Sequence, residues 1–334
     1  MEFNKLTEIP NLHQIKLAEQ QLNGIVLQTP LQYASELSSR FGANIFLKRE
    51  DLQVVRSYKI RGAFHKIVNL PSALRSKGVV AASAGNHAQG VAFACASLQI
   101  HATIFMPTIT PMQKLDAVRL FGGEFVRIKL IGDSYDEAFT ASRRFCAATD
   151  GIYIPPFDDY DIIAGQSTVA LEILKQIKQK VDFLFVPFGG GGLAAGTSIL
   201  FDYLSPETKI IATEPHEAAS LSISLQNREV RALEKLDPFV DGAAVKRIGQ
   251  LTFDICKGRI AAVQTIHKKQ LCQTMLDLYQ SEAILAEPAG ALSVAALPYY
   301  GNKIKGKTVV CIISGGNFDP NAFLKYKPAQ NHKK

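Results

Sequence analysis

Phe183-Leu184-Phe185-Val186-Pro187-Phe188-Gly189-Gly190-Gly191-Gly192-Leu193-Ala194-Ala195 runs from a short apolar stretch, through four glycines, into an alanine- and leucine-rich stretch. The apolar run, Phe183–Pro187, reads as a strand covered on both faces, and Leu193–Leu204 reads as a helix. Glycines let a backbone approach a phosphate closely, and the helix N-terminus supplies oriented N–H donors. The plain structural alternative is a tight strand-to-helix turn. Gly190-x-Gly192-x-x-Ala195 also fits a dinucleotide fingerprint, with Glu214 ending the next strand where a ribose-binding acid is expected. The segment alone does not separate a nicotinamide from a phosphorylated pyridine.

The same pattern recurs outward in both directions. Further strand candidates are Ile45–Glu50, Gly78–Ser83, His101–Met106, Glu124–Ile128, Gly151–Ile154, Lys209–Thr213 and Val309–Ile313. Helical patterns at Asn86–Leu98, Pro111–Phe121, Ser134–Ala148 and Ile163–Ile177 separate them. This alternation predicts an α/β fold with doubly wound, mostly parallel sheets. Units from Gly78 to Ala148 make one sheet, the Asp150–Asp161 passage reads as a crossing, and Phe183–Pro187, Lys209–Thr213 and Val309–Ile313 belong to a second. Ligands in such folds bind beyond the C-terminal ends of strands. Ser83-Ala84-Gly85-Asn86-His87, Gly189–Leu193 and Ser314-Gly315-Gly316-Asn317 all fall there, which predicts one site between two lobes.

Each segment carries its own chemistry. Ser83–His87 opens a helix whose N–H groups can hold a carboxylate, and Asn86 suits a phenolic oxygen. In the bland alternative Ser83 caps the helix and His87 is exposed. Ser314 can donate to an unprotonated ring nitrogen, or simply sit in a glycine turn. Lys59, in Arg56-Ser57-Tyr58-Lys59-Ile60-Arg61-Gly62-Ala63, follows the strand Ile45–Glu50 at a helix start. Arg56 and Arg61 are expected to lower its pKa and favour the neutral amine that imine chemistry needs. Gly-x-Ser-x-Gly and HExxH patterns are absent from the sequence.

Composition excludes other classes. At 334 residues, 47% hydrophobic and 20% charged, the chain is expected to be globular with two domains. No apolar run reaches the ~18 residues of a membrane span, and Met1-Glu2-Phe3-Asn4-Lys5 shows no secretory signal. Cys95, Cys146, Cys256, Cys272 and Cys311 are scattered without metal-ligand spacing, as in a reduced, cytoplasmic protein. The net charge of +7 is dispersed apart from the basic Lys325–Lys334 tail, which argues against nucleic acid and suits small anionic ligands.

With these residues in view, the chain resembles the fold-type II pyridoxal-phosphate enzymes, specifically the threonine/serine dehydratase family, from about Thr29 to Asp319. Leu47-Lys48-Arg49-Glu50-Asp51 and Ser57-Tyr58-Lys59-x-Arg61-Gly62-Ala63 are similar to that family's lysine signature. Ser83–Gly90, the tetraglycine loop and Ser314–Asn317 follow in the family's order. Val54–Lys59 and Asp241-Gly242-x-Ala244-Val245 look most like biosynthetic threonine deaminases. The resemblance implies a tryptophan-synthase-β-like architecture: a large domain (1–51 plus 150–330), a small domain (52–149), and the site in the cleft. It implies that Lys59 holds pyridoxal 5'-phosphate as an imine and is the catalytic base. Asn86 would bind the ring hydroxyl, Gly189, Gly190, Gly191, Gly192 and Leu193 the phosphate, and Ser314 the ring nitrogen. Ser83, Ala84, Gly85 and His87 would meet an amino-acid substrate, with no metal required. Serine racemases of this family carry a proton-transferring serine where this chain has Ala84, and Ser220 stands where their second metal-binding carboxylate is expected. The implied reaction is L-threonine to 2-oxobutanoate and ammonia, the first step of isoleucine biosynthesis, and L-serine to pyruvate, by a homodimer or homotetramer. The rivals are a catabolic dehydratase, a serine racemase and, from another class, a nicotinamide-dependent oxidoreductase. About fifteen residues follow Asn317, so inhibition by isoleucine through a C-terminal regulatory domain is not expected.

Overall fold

The computed structural model describes residues 9–320; Met1–Lys5 and the basic Lys325–Lys334 tail lie outside the described residues. In chain order the strands are β1 (Leu31–Tyr33), β2 (Asn44–Arg49), β3 (Val79–Ala82), β4 (Ala102–Met106), β5 (Val126–Leu130), β6 (Ile152–Tyr153), β7 (Phe183–Pro187), β8 (Lys209–Pro215), β9 (Ala262–Ile266) and β10 (Thr308–Ile313). They form a six-stranded sheet, ordered β1-β2-β10-β7-β8-β9, and a four-stranded sheet, ordered β5-β4-β3-β6. The β1–β2 pair is antiparallel; the other pairs are parallel.

Strand periodicity builds the layers. β7 and β10 are buried along their whole length, as central strands of a sheet covered on both faces must be. Phe183, Phe185, Val309, Cys311 and Ile313 enter one apolar layer, while Leu184, Val186, Val310 and Ile312 enter the other. The small sheet divides likewise, Val79, Ala81 and Ile104 on one side and Val80, Ala82 and Phe105 on the other. All five cysteines are buried and unpaired. No described helix is long and apolar enough to cross a membrane.

The sheets correct two sequence readings. The strand expected at Gly151–Ile154 forms as β6 and pairs with β3, which leaves the crossing to the rest of Asp150–Asp161 and moves the domain boundary. A boundary after residue 149 would cut β6 from its sheet; Ile152 and Tyr153 pack into the small sheet's opposite layers. The large sheet also gains β1 and β9 at its edges. These are short or half-buried strands without a continuous apolar run, so their sequences carry little signal.

Three helices meet where the lobes join: Lys59–Val68, Asn86–Leu98 and Tyr160–Gln176. The first and third touch backbone to backbone. A Cβ on Gly62 would lie 2.8 Å from the Ile162 carbonyl, and one on Gly165 would lie 2.7 Å from that of Arg61. A buried ionic cluster pins this crossing. Arg61 donates to both Glu50 carboxylate oxygens at 2.8 Å and to Glu172 at 2.7 Å. Lys48 donates to the other Glu172 oxygen at 2.5 Å and to the Thr29 carbonyl at 2.8 Å. Lys48 and Glu50, within Leu47–Asp51, thus tie the end of β2 to the two helices.

Candidate active site

The end of β10 sets the position of Lys59. Ser57 bridges Gly315, Tyr58 N–H donates to the Ser314 carbonyl at 3.2 Å, and Gly316 N–H donates to the Arg56 carbonyl at 2.9 Å. Lys59 is the first residue of its helix. Its Nζ donates to the Pro156 carbonyl at 2.7 Å and lies 5.5 Å and 6.0 Å from the Tyr58 and Phe157 ring centroids. Burial pushes this amine down to about 8, against the opposing pull of the Glu287 carboxylate. The expected cause was different. Arg56 is exposed and Arg61 is consumed by Glu50 and Glu172, so desolvation rather than cationic neighbours depresses Lys59.

The tetraglycine loop lies behind Phe157. A Cβ on Gly190 would collide with the Phe157 ring, and one on Gly192 would lie 3.1 Å from Phe157 Cβ. Gly191 has φ +96°, a conformation that excludes most side chains. The helix Gly192–Leu204 that follows has no side-chain cap, and its first residues are buried. Buried helix-start N–H groups without a cap call for an acceptor, and an anion satisfies them. Phe157 therefore brings Lys59 and the loop to one place.

Asn86 begins the helix Asn86–Leu98, which also lacks a side-chain cap. Its Nδ2 donates to Glu287 Oε1 at 2.6 Å, while its Oδ1 accepts from Asn317 Nδ2 at 2.6 Å. One amide hydrogen is left for a ligand, along with the second lone pair of Oδ1. Burial and the nearby Asp241 push Glu287 up to about 8, with the Asn86 hydrogen bond and Lys114 opposing. Ser314 is buried and its hydroxyl donates to the Ala289 carbonyl at a long 3.3 Å.

Ser83, Ala84 and Gly85 form a half-buried loop after β3. Ser83 Oγ accepts from Gly85 N–H at 3.2 Å, so it does not cap the helix. Space is open where a Gly85 side chain would be. His87 is buried, not exposed; its Nε2 lies 2.9 Å from the Ile154 carbonyl and therefore carries the hydrogen. Burial, then the Lys59 charge, push His87 down to about 3, so the imidazole is neutral.

The structure thus brings Lys59, Asn86, Gly189–Leu193 and Ser314 around one cleft, with Ser83–His87 at its small-lobe side. Sequence reading missed Glu287, Phe157 and the Pro156 carbonyl. Glu287-Pro288 ahead of an apolar helix was a usable N-terminus signal. Glu214 has a different task from the ribose-binding one considered. Its carboxylate accepts from Leu221 N–H at 2.9 Å and from Ser222 N–H at 3.0 Å and Oγ at 2.5 Å, anchoring the helix Ser220–Asn227. Fully buried there, it does not present itself to a ribose.

The chemistry fits a phosphate-bearing aldehyde: an anion cradle, a lysine amine of lowered pKa, and polar groups for a ring oxygen and nitrogen. The model of the family described as "Pyridoxal-phosphate dependent enzyme" matches residues 22–315. The chain is 48% identical over 308 residues to a biosynthetic L-threonine dehydratase of Halalkalibacterium halodurans, covering 92% of this chain and 74% of the relative. The counterpart in Bacillus subtilis is 49% identical over 319 residues, covering 96% and 75%. Among solved structures, the processed form of threonine deaminase isoform 2 from Solanum lycopersicum superposes with TM-score 0.88 at 38% identity, covering 95% of this chain and 94% of that one. Maize serine racemase superposes with TM-score 0.89 at 28% identity, covering 95% and 97%. With its lysine, its glycine cradle and its ring-side polar groups in one cleft, the chain belongs to the pyridoxal-phosphate dependent enzymes.

Proposed function

We propose that this chain dehydrates and deaminates L-threonine to 2-oxobutanoate and ammonia, and accepts L-serine as a second substrate. The observation that carries the reading is Lys59, an amine of lowered pKa held on the Pro156 carbonyl beside an uncapped glycine cradle. Identity of 48–49% to proteins named biosynthetic L-threonine dehydratases supports the substrate and the biosynthetic role over a catabolic one.

Bound in the cleft, pyridoxal phosphate supplies an aldehyde for an amine and a conjugated ring that takes up the electron pair left at Cα. The protein does the rest. The N–H groups of Gly189–Leu193 would hold the phosphate, and the free amide hydrogen of Asn86 would donate to the ring oxygen. The Ser314 hydroxyl, now on the Ala289 carbonyl, would donate to the ring nitrogen. The Ala84 and Asn86 N–H groups, with Ser83 and Gly85 N–H taken by the Phe105 carbonyl and Ser83 Oγ, would hold the substrate carboxylate, with neutral His87 packed behind them. With a pKa near 8, Lys59 has far more neutral amine at pH 7 than an ordinary lysine, and its Nζ would accept the Cα proton of the substrate. Ala84 offers no second acid or base, which favours elimination over racemisation. The engagement of Glu214 by backbone N–H groups argues against a nicotinamide reading.

The reading keeps two domains, with the small one extended to residue 153 to include β6, in a cytoplasmic homodimer or homotetramer. Lys59→Ala should abolish turnover while the circular dichroism melt is retained; more than about a hundredth of wild-type kcat would remove Lys59 as the base, since such groups contribute about 100- to 10,000-fold. One methyl in an apolar pocket is worth about 10- to 200-fold, so kcat/KM for L-threonine should exceed that for L-serine within this range. A preference for serine would overturn the substrate assignment.

A further inference from the structure

Gly190 has a carbonyl that is held from outside the cradle. Thr252 Oγ donates to it at 2.7 Å and Gly249 N–H at 3.4 Å. Thr252 is fully buried and stands at the start of the helix Gln250–Cys256. The Asp158 carboxylate holds that helix start in turn, one oxygen accepting from Thr252 N–H and the other from Gln250 N–H, each at 3.1 Å. Asp158 directly follows Phe157, whose ring presses on Gly190, and Pro156, whose carbonyl takes Lys59. One segment therefore serves both the lysine and the cradle.

In a trans peptide the carbonyl of one residue and the N–H of the next point in opposite directions. With the Gly190 carbonyl aimed at Thr252, the Gly191 N–H must point away from that helix, and no partner within the protein takes it among the described residues. Glycine at 191 is what permits this closeness, since a Cβ there would sit 2.7 Å from Thr252 Oγ. We infer that Thr252 is a positioning residue for the phosphate cradle, its hydroxyl fixing the Gly190–Gly191 peptide so that the Gly191 N–H faces the anion. This rests on the reading of Gly189–Leu193 as the cofactor's phosphate site.

The test compares two ligands that differ only in the phosphate. Full-length protein is dialysed to equilibrium against pyridoxal 5'-phosphate or pyridoxal, and the dissociation constants are read from imine absorbance. Thr252→Val keeps the shape and removes the hydroxyl. It should weaken pyridoxal 5'-phosphate by about five- to tenfold, the worth of one hydrogen bond, and leave pyridoxal unchanged. Thr252→Ser should restore the wild-type ratio. A valine variant that keeps the wild-type ratio, or weakens both ligands equally, overturns the positioning role alone. A wild type that does not distinguish the two ligands overturns the cradle reading itself. If the valine variant does not fold, Thr252→Ala, which adds no bulk, is held to the same ratios.

Discussion

Arg61→Met should cost about 3–5 kcal/mol, the range for removing one partner from a buried ion pair. The structure shows why the upper part of that range applies. Arg61 and Glu50 are both fully buried, and Glu50 would lose two charge-assisted bonds of 2.8 Å, keeping Thr29 Oγ at 2.6 Å and Gln53 Nε2 at 3.2 Å. Glu172 would lose its 2.7 Å bond but keep Lys48. Against a total stability of about 5–15 kcal/mol, the loss is large enough to read directly from urea unfolding. Its pH dependence identifies the cause. In the wild type, burial pushes Glu50 up, but the Arg61 guanidinium, helped by Lys48 and the Thr29 hydroxyl, outweighs it and the net shift is downward. That stabilisation is present above the ordinary carboxylate value of 4.5 and is lost as pH falls through the lower folded value. Without Arg61, burial pushes Glu50 above 4.5, so the variant instead loses stability as pH rises through that value. The deficit should therefore widen between pH 4 and pH 7. Adding Glu50→Gln to Arg61→Met should recover part of it by removing the orphaned charge. A deficit below about 1 kcal/mol, or one independent of pH, would refute the ion-pair account, because surface pairs behave that way.

Two further changes probe the cleft. Glu287 has its pKa raised to about 8 by burial and by Asp241, so its contribution to stability is present below 4.5 and lost as pH rises through 8. Glu287→Gln should thus gain on the wild type between pH 5 and pH 8, by on the order of 3 kcal/mol, and parallel pH–stability curves would contradict the assigned burial. Gly190→Ala would drive a methyl into the Phe157 ring, and it should weaken cofactor binding at least about tenfold while Tm falls only modestly. Unchanged binding would mean that the loop and Phe157 yield freely.

Local pattern made much of this protein legible. The all-apolar β7 and the helix Asn86–Leu98 were readable to the residue, because strand and helix periods depend on neighbours a few positions apart. Lys59, Asn86, the glycine loop and Ser314 could be singled out as candidates because each lies at a strand end or helix start, where ligands bind in this class of fold. β1 and β9 were not, since short edge strands follow from whatever they pair with.

What the sequence alone determined, then, is the alternation of strands and helices, the order of the site segments, and the lysine among them. Tertiary structure decided the environment of each group. It took Arg61 away from Lys59 and gave it to Glu50 and Glu172, placed Glu287 against Asn86 across 201 positions of chain, and turned Glu214 onto a helix start. The physical reason is that pKa and hydrogen bonding depend on desolvation and on partners distant in sequence, which exist only once the two sheets and the helices between them have packed.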